Sequence, residues 1–271
     1  MRFIHCADIH LDSPLRGLER YGGAPVEEVR GATRRAFENM VQYAMRERVD
    51  FVVIAGDLYD GDWPDFNTGL FFAKGMAQLG ESGIAVYVVR GNHDAASKLT
   101  RSLPLPKNVH LLPEKAPTTL TDDNLGLAVH GQSFATAAVL EDLAAGYPQS
   151  VHGSFNLGVL HTSLNGRPVH DNYAPTTEAV LRSKGYDYWA LGHVPRSGNR
   201  LARPMGGLSR QHPRPAYPGA RGKGLRTGHC RGRQHHHGAG GSRCLALDRA
   251  GHRCGGNAGP GRAVRSRRRR R

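Results

Sequence analysis

Cysteine is scarce, with four in 271 residues. Cys6 stands alone in an apolar run, and Cys230, Cys244 and Cys254 form no C-x-x-C pair. That spacing argues against a disulfide framework or a cysteine zinc site, so reduced thiols are expected. Long apolar runs are also missing. No stretch approaches the roughly 18 residues that span a bilayer. The opening MRFIHCADIHL lacks the charged and apolar regions of a secretory leader. A cytoplasmic location without membrane contact is therefore expected. Acidic and large apolar residues are almost absent from residues 195–271, which hold 20 Lys/Arg against the single acid Asp248, no Ile, Phe or Trp, and one aromatic, Tyr217. That part carries 16 Gly and ends in five consecutive Arg. So little apolar surface does not offset the entropy of ordering a chain, and a disordered, low-complexity Arg/Gly/Pro/His-rich tail is expected over 195–271.

Residues 1–194 have the opposite balance, 17 Lys/Arg against 22 Asp/Glu, so the net charge of +14 describes neither part. They read as one domain in which strands and helices alternate. Phe3–Ala7, Phe51–Ala55 and Ile84–Val89 are short, continuous apolar runs, as in strands buried on both faces. Val109–Leu112, Leu125–His130, Leu157–Leu160 and Tyr188–Leu191 read as further strands. Ala32, Ala36, Met40, Tyr43 and Ala44 recur at helical spacing within 26–48. Helices are also expected near 68–79, 136–145 and 176–183. Such alternation implies an α/β fold with helices outside a sheet core.

Sites in such folds form beyond the carboxyl ends of strands, and five polar motifs lie at those places. They are Asp8-Ile9-His10, Gly56-Asp57-Leu58-Tyr59-Asp60, Gly91-Asn92-His93-Asp94, His161, and Gly192-His193. Asp8 and His10 are two residues apart, so in extended backbone their side chains point the same way. Asp57 has two carboxylate oxygens and can bridge two cations. Asn92 offers a carbonyl oxygen, and His161 and His193 offer imidazole nitrogens. This mixed O/N set suits Mn²⁺, Fe²⁺ or Zn²⁺ better than Mg²⁺ or Ca²⁺. Two such ions activate water and clamp the oxygens of a phosphoryl displacement. His93 is placed to protonate a leaving oxygen, and Asp94 to orient it. Each motif alone also has a bland explanation, a turn, a helix cap or a core histidine; the ordered set does not.

These ordered motifs resemble those of the calcineurin-like metallophosphoesterases. The runs FIHCADIHLDSPL, GDLYDGDWPDFNTGLFF and DYWALGHV are similar to its DNA-repair exonuclease branch, which includes the nuclease subunit of bacterial SbcCD complexes. The resemblance covers residues 1–194. It implies a four-layer α/β/β/α sandwich, two divalent ions (usually manganese), DNA as substrate, and an SMC-like ATPase partner. It assigns Asp8, His10 and Asp57 to one metal and Asp57, Asn92, His161 and His193 to the other, with His93 as the catalytic histidine. The family pattern asks for a second His two residues after His193, where this chain has Pro195. The composition changes at the same point. A shift of reading frame near codon 195 of a GC-rich gene would account for both. The alternative is a basic tail that binds nucleic acid through phosphate contacts. His235, His236 and His237 with Cys230 and Cys244 have no recognised zinc spacing. Tyr59, Trp63, Phe66 and Asn67 are candidates to line a substrate groove, and Arg16, Arg20 and Arg90 to meet phosphates. Two further readings stay open. One is a phosphatase or small-molecule phosphodiesterase on the same scaffold. The other is an inactive domain that holds nucleic acid only through its tail.

Overall fold

The computed structural model describes residues 1–13, 26–61, 66–96, 104–164, 173–193 and 243–248. Pro195, Trp63, Arg16, Arg20 and nearly all of the basic tail lie outside them. Two sheets stack face to face. The first has strand order β4 (Val109–Leu111), β3 (Ala85–Val89), β2 (Phe51–Ala55), β1 (Arg2–Ala7), β9 (Arg243–Asp248). Its strands β1 to β4 are parallel, and β9 is antiparallel to β1. The second sheet has order β5 (Thr118–Asp122), β6 (Leu127–Gly131), β7 (Phe155–His161), β8 (Tyr188–Gly192), with β5 antiparallel and the rest parallel.

The alternation of side chains along β1 and β2 divides the core. Phe3, Ala7, Phe51, Val53 and Ala55 face the second sheet and pack on Leu127, Val129, Leu157, Val159 and Ala190. Phe3 stacks on Phe51 with centroids 4.8 Å apart and meets Tyr188 edge-on. The opposite set, Ile4, Cys6, Val52 and Ile54, packs under α1 (Val26–Glu47) and α2 (Asn67–Glu81), against Phe37, Val41, Phe72 and Met76. On the far face of the second sheet, Leu160, Trp189 and Leu191 are covered by Leu181 of α4 (Glu178–Ser183) and by Tyr147. The expected α/β architecture, with helices outside two sheets, is what the chain forms. No helix among the described residues is long and apolar enough to cross a membrane.

Two local expectations are corrected and one short element is added. Residues 136–145 form no α-helix. Their backbone is diverted, with Ala174 N–H donating to Val139 C=O, and Asp142 caps only a 3₁₀ turn at Leu143–Gly146. Asn92–Ala96 is a helical turn, α3, begun by the Ala95 N–H to Gly91 C=O bond. Within the tail, composition predicted no order, yet Arg243–Asp248 is a strand. Its Cys-Leu-Ala-Leu run is the one short apolar stretch there, and it satisfies the backbone of β1 at an otherwise open sheet edge.

Candidate metal centre

Every strand-end motif converges on one end of the two sheets. β1 stops at Ala7, and Asp8 opens a loop in which Asp8, His10 and Asp12 have φ of 52°, 46° and 55°. Asp57 after β2 and His193 after β8 have φ of 50° and 61°. Left-handed backbone costs a non-glycine residue on the order of 1 kcal/mol or more, and such residues cluster where function demands them. Three backbone hydrogen bonds hold the first loop against the second: Asp8 N–H to Gly56 C=O (3.1 Å), His10 N–H to Asp57 C=O (3.1 Å) and Leu11 N–H to Leu58 C=O (2.8 Å).

The geometry corrects the extended-backbone argument for Asp8 and His10. Both residues are left-handed, so the extended backbone assumed for them is not what the loop adopts. The donors fall into two groups, Asp8, Asp57, His161, His193 and His10, Asp60, His93. Within each group the ligand atoms lie within 4.8 Å of one another. Asn92 adjoins the first group, its Oδ1 3.0 Å from His161 Nε2. The Asp8 carboxylate also accepts the His193 backbone N–H, which fixes the end of β8 against the end of β1.

His161 is fully buried and its ring is oriented from behind. Nδ1 lies 3.1 Å from the Ala55 carbonyl oxygen, a pure acceptor, so Nδ1 carries a proton and Nε2 is turned inward. Nε2 lies 3.3 Å from Asp57 Oδ2. Burial opposes charge on His161, but the Asp57 carboxylate outweighs it and raises the imidazole to about 9. Burial also opposes charge on Asp57, and the facing His161, His93 and His10 overcome it and hold the carboxyl well below its usual range. On His193, burial and then the His161 charge both push the pKa down.

These residues fit a divalent cation. A histidine that donates its second N–H to a backbone carbonyl is the arrangement that orients a metal ligand. His10 Nδ1 is buried with no hydrogen-bond partner among the described residues. The donor set mixes carboxylate, amide oxygen and imidazole. Because His161 titrates at about 9, a cation arriving at Nε2 must displace a proton. Divalent-metal binding is therefore expected to release about one proton, and to strengthen with rising pH by up to about tenfold per unit below that value. Calorimetry in two buffers of different ionisation heat reads this directly. Affinity independent of pH with no proton released would contradict it.

The His93 side chain is 42% exposed and its Nδ1 lies 2.8 Å from Asp60 Oδ1. The expectation that Asp94 orients His93 is therefore corrected. Asp94 is 1% exposed, and its carboxylate accepts the backbone N–H groups of Leu58, Tyr59 and Gly91. It fastens the loop after β2 to the turn after β3. The motif Gly56–Asp60 by itself gives Asp60 no role, because nothing local in the sequence joins it to His93. Tyr59 is buried against Phe72, and Asn67 opens α2 just after the exposed Phe66. Arg90 is largely buried in an ion pair with Glu114, which accounts for its charge.

The profile of the family described as Calcineurin-like phosphoesterase matches residues 1–197. The chain is 36% identical over 222 residues to the Uncharacterized metallophosphoesterase YhaO of Bacillus subtilis, covering 81% of this chain and 52% of that protein. It is 26% identical over 211 residues to the DNA double-strand break repair protein Mre11 of Methanopyrus kandleri, covering 72% of this chain and 44% of that protein. The chain thus spans about half the length of these curated relatives. A local likeness to a solved dimetal phosphatase from Danio rerio covers 36% of this chain and 31% of that one, at 24% identity and a TM-score of 0.25.

Proposed function

The chain belongs to the calcineurin-like phosphoesterase family, and from that premise we propose that it is a metal-dependent phosphodiesterase that cleaves DNA, as an exonuclease or endonuclease of repair. The observation that carries the reading is the convergence of Asp8, Asp57, His161 and His193 on one point, with His10, Asp60 and His93 grouped beside them. The similarity to a protein named for double-strand break repair supports DNA as the substrate. An SMC-like ATPase partner and manganese as the native ion belong to the same proposal.

Asp8, Asp57, Asn92, His161 and His193 would hold one cation, and His10, together with Asp57, would serve a second. Bound divalent ions supply Lewis-acid activation of water and neutralise charge on the phosphoryl group. His93 is the general acid. Its Nδ1 is held by Asp60, so Nε2 is the nitrogen left to face a departing 3′ oxygen. Asp57 fixes the backbone of that same residue by accepting the His93 N–H at 3.1 Å. Purified full-length chain with Mn²⁺ should cleave linear double-stranded DNA as well as bis(p-nitrophenyl) phosphate. Cleavage of the small ester with none of DNA would transfer the reading to a small-molecule phosphodiesterase or phosphatase.

A further inference from the structure

We propose that Ser13 is a positioning residue for His93, acting through Asp60. The inference rests on reading His93 as the proton donor to the leaving group. Asp60 divides its carboxylate between two partners. Oδ1 meets His93 Nδ1 at 2.8 Å, and Oδ2 accepts the Ser13 hydroxyl at 2.5 Å. The Asp60 side chain is 29% exposed, so His93 alone would hold it on one side only. The Ser13 hydroxyl holds the other oxygen and sets the plane of the carboxylate.

Ser13 can do this because its own place is fixed. It is 8% exposed, and its N–H donates to the His10 carbonyl at 3.1 Å. The residue before it is anchored to both helices that cover the first sheet. Arg34 of α1 donates from Nε and Nη2 to the Asp12 carboxylate at 2.7 and 2.5 Å, and Thr68 of α2 donates at 2.7 Å. Asp12 N–H donates to Thr33 Oγ1 at 3.3 Å. Burial pushes the Asp12 carboxyl up, but the Arg34 guanidinium and Thr68 hydroxyl outweigh it and keep the group ionised. The chain from the helices to the acid thus runs Arg34 and Thr68, Asp12, Ser13, Asp60, His93. A fixed carboxylate keeps one proton on Nδ1 in both the imidazolium and the neutral ring, so the proton that the imidazolium gives to the departing oxygen is the one on Nε2, directed outward, and the ring left behind is the Nδ1-protonated tautomer.

The test separates proton donation from binding by the choice of leaving group. Ser13→Ala and Ser13→Thr are compared with the parent chain, in Mn²⁺, on a thymidine dinucleotide and on bis(p-nitrophenyl) phosphate. A departing nucleoside alkoxide needs a proton, and nitrophenolate does not. Ser13→Ala should lose about tenfold in kcat on the dinucleotide at unchanged KM, the scale of one hydrogen bond to a charged group. Its rate on the nitrophenyl ester and its Mn²⁺ affinity should stay within about twofold of the parent, and Ser13→Thr should restore the dinucleotide rate. Equal losses on both esters, or no loss on either, would overturn the proposal. A second readout needs no turnover. Long-range ¹H–¹⁵N spectra of the metal-free chain, with His93 assigned through His93→Gln, show which ring nitrogen holds the proton. The Nδ1-protonated ring should dominate in the parent and become mixed in Ser13→Ala, and an unchanged tautomer overturns the proposal. If neither ester is cleaved by the parent, the hydrolase reading fails while the spectra still decide the role of Ser13.

Discussion

Asp57→Ala is expected to lower kcat/KM for any phosphodiester substrate by about a thousandfold or more, equivalent to about 4 kcal/mol of transition-state stabilisation. Asp57 is 1% exposed and lies in the donor group with Asp8, His161 and His193. Its Oδ1 accepts the His93 backbone N–H, and its Oδ2 faces His161 Nε2 at 3.3 Å. Alanine removes the carboxylate of the donor group, the acceptor that fixes the His93 backbone, and the anion that keeps His161 charged. The last loss need not unfold the domain, because an imidazole without that anion gives up its proton and remains neutral. Asp57→Asn keeps an oxygen for the His93 N–H and loses the negative charge. Both variants should therefore lose turnover and the tight divalent-metal isotherm, while Asp57→Asn keeps a melting temperature closer to the parent. Retained turnover in either variant would remove Asp57 from the mechanism.

Gly192→Ala should damage the fold and the site together. A methyl built on Gly192 would overlap the Ala55 carbonyl oxygen and stand 2.6 Å from His161 Nδ1. The first clash is with the backbone at the end of β2 in the facing sheet, which has no side-chain rotamer to yield. The second strikes the hydrogen bond from Nδ1 to Ala55 that aims His161 into the donor group. Overpacking at a rigid backbone contact costs about 3 kcal/mol or more. A clear fall in the midpoint of chemical denaturation is expected, together with weakened metal binding in the fraction that folds. Gly153 is the useful control, since it sits at φ 82° with nothing within 4 Å of a built methyl. Gly153→Ala should show only modest backbone strain and normal metal binding. A Gly192→Ala chain as stable as the parent would mean that β8 and β2 are spaced more loosely than the structure has them.

The readable parts of the fold were those encoded by neighbours in the chain. Phe51–Ala55 was expected as a strand and is one to the residue, because five successive apolar side chains suit only a strand buried on both faces. Val26–Glu47 and Asn67–Glu81 follow from apolar residues at helical spacing. Thr118–Asp122 was not foreseen. Its threonines are half exposed at a sheet edge, so it lacks the apolar run that marks a buried strand. The segment 136–145 has the composition of a helix, but its backbone partners lie elsewhere in the chain.

The same division runs through the candidate centre. By itself the sequence determined the donor types, their order, and their positions at the ends of strands, since those depend on local apolar runs and on the residue that follows each. Only the tertiary structure decided who faces whom. It pairs His93 with Asp60, leaves Asp94 to tie loops together, and brings Ser13 to the second oxygen of Asp60. It also places Asp8 with Asp57, His161 and His193. Those pairings depend on the register between strands and on a run of left-handed residues after β1. Neither is stated by residues adjacent in the chain, and both arise when the two sheets stack and the loops at one end must share the same space.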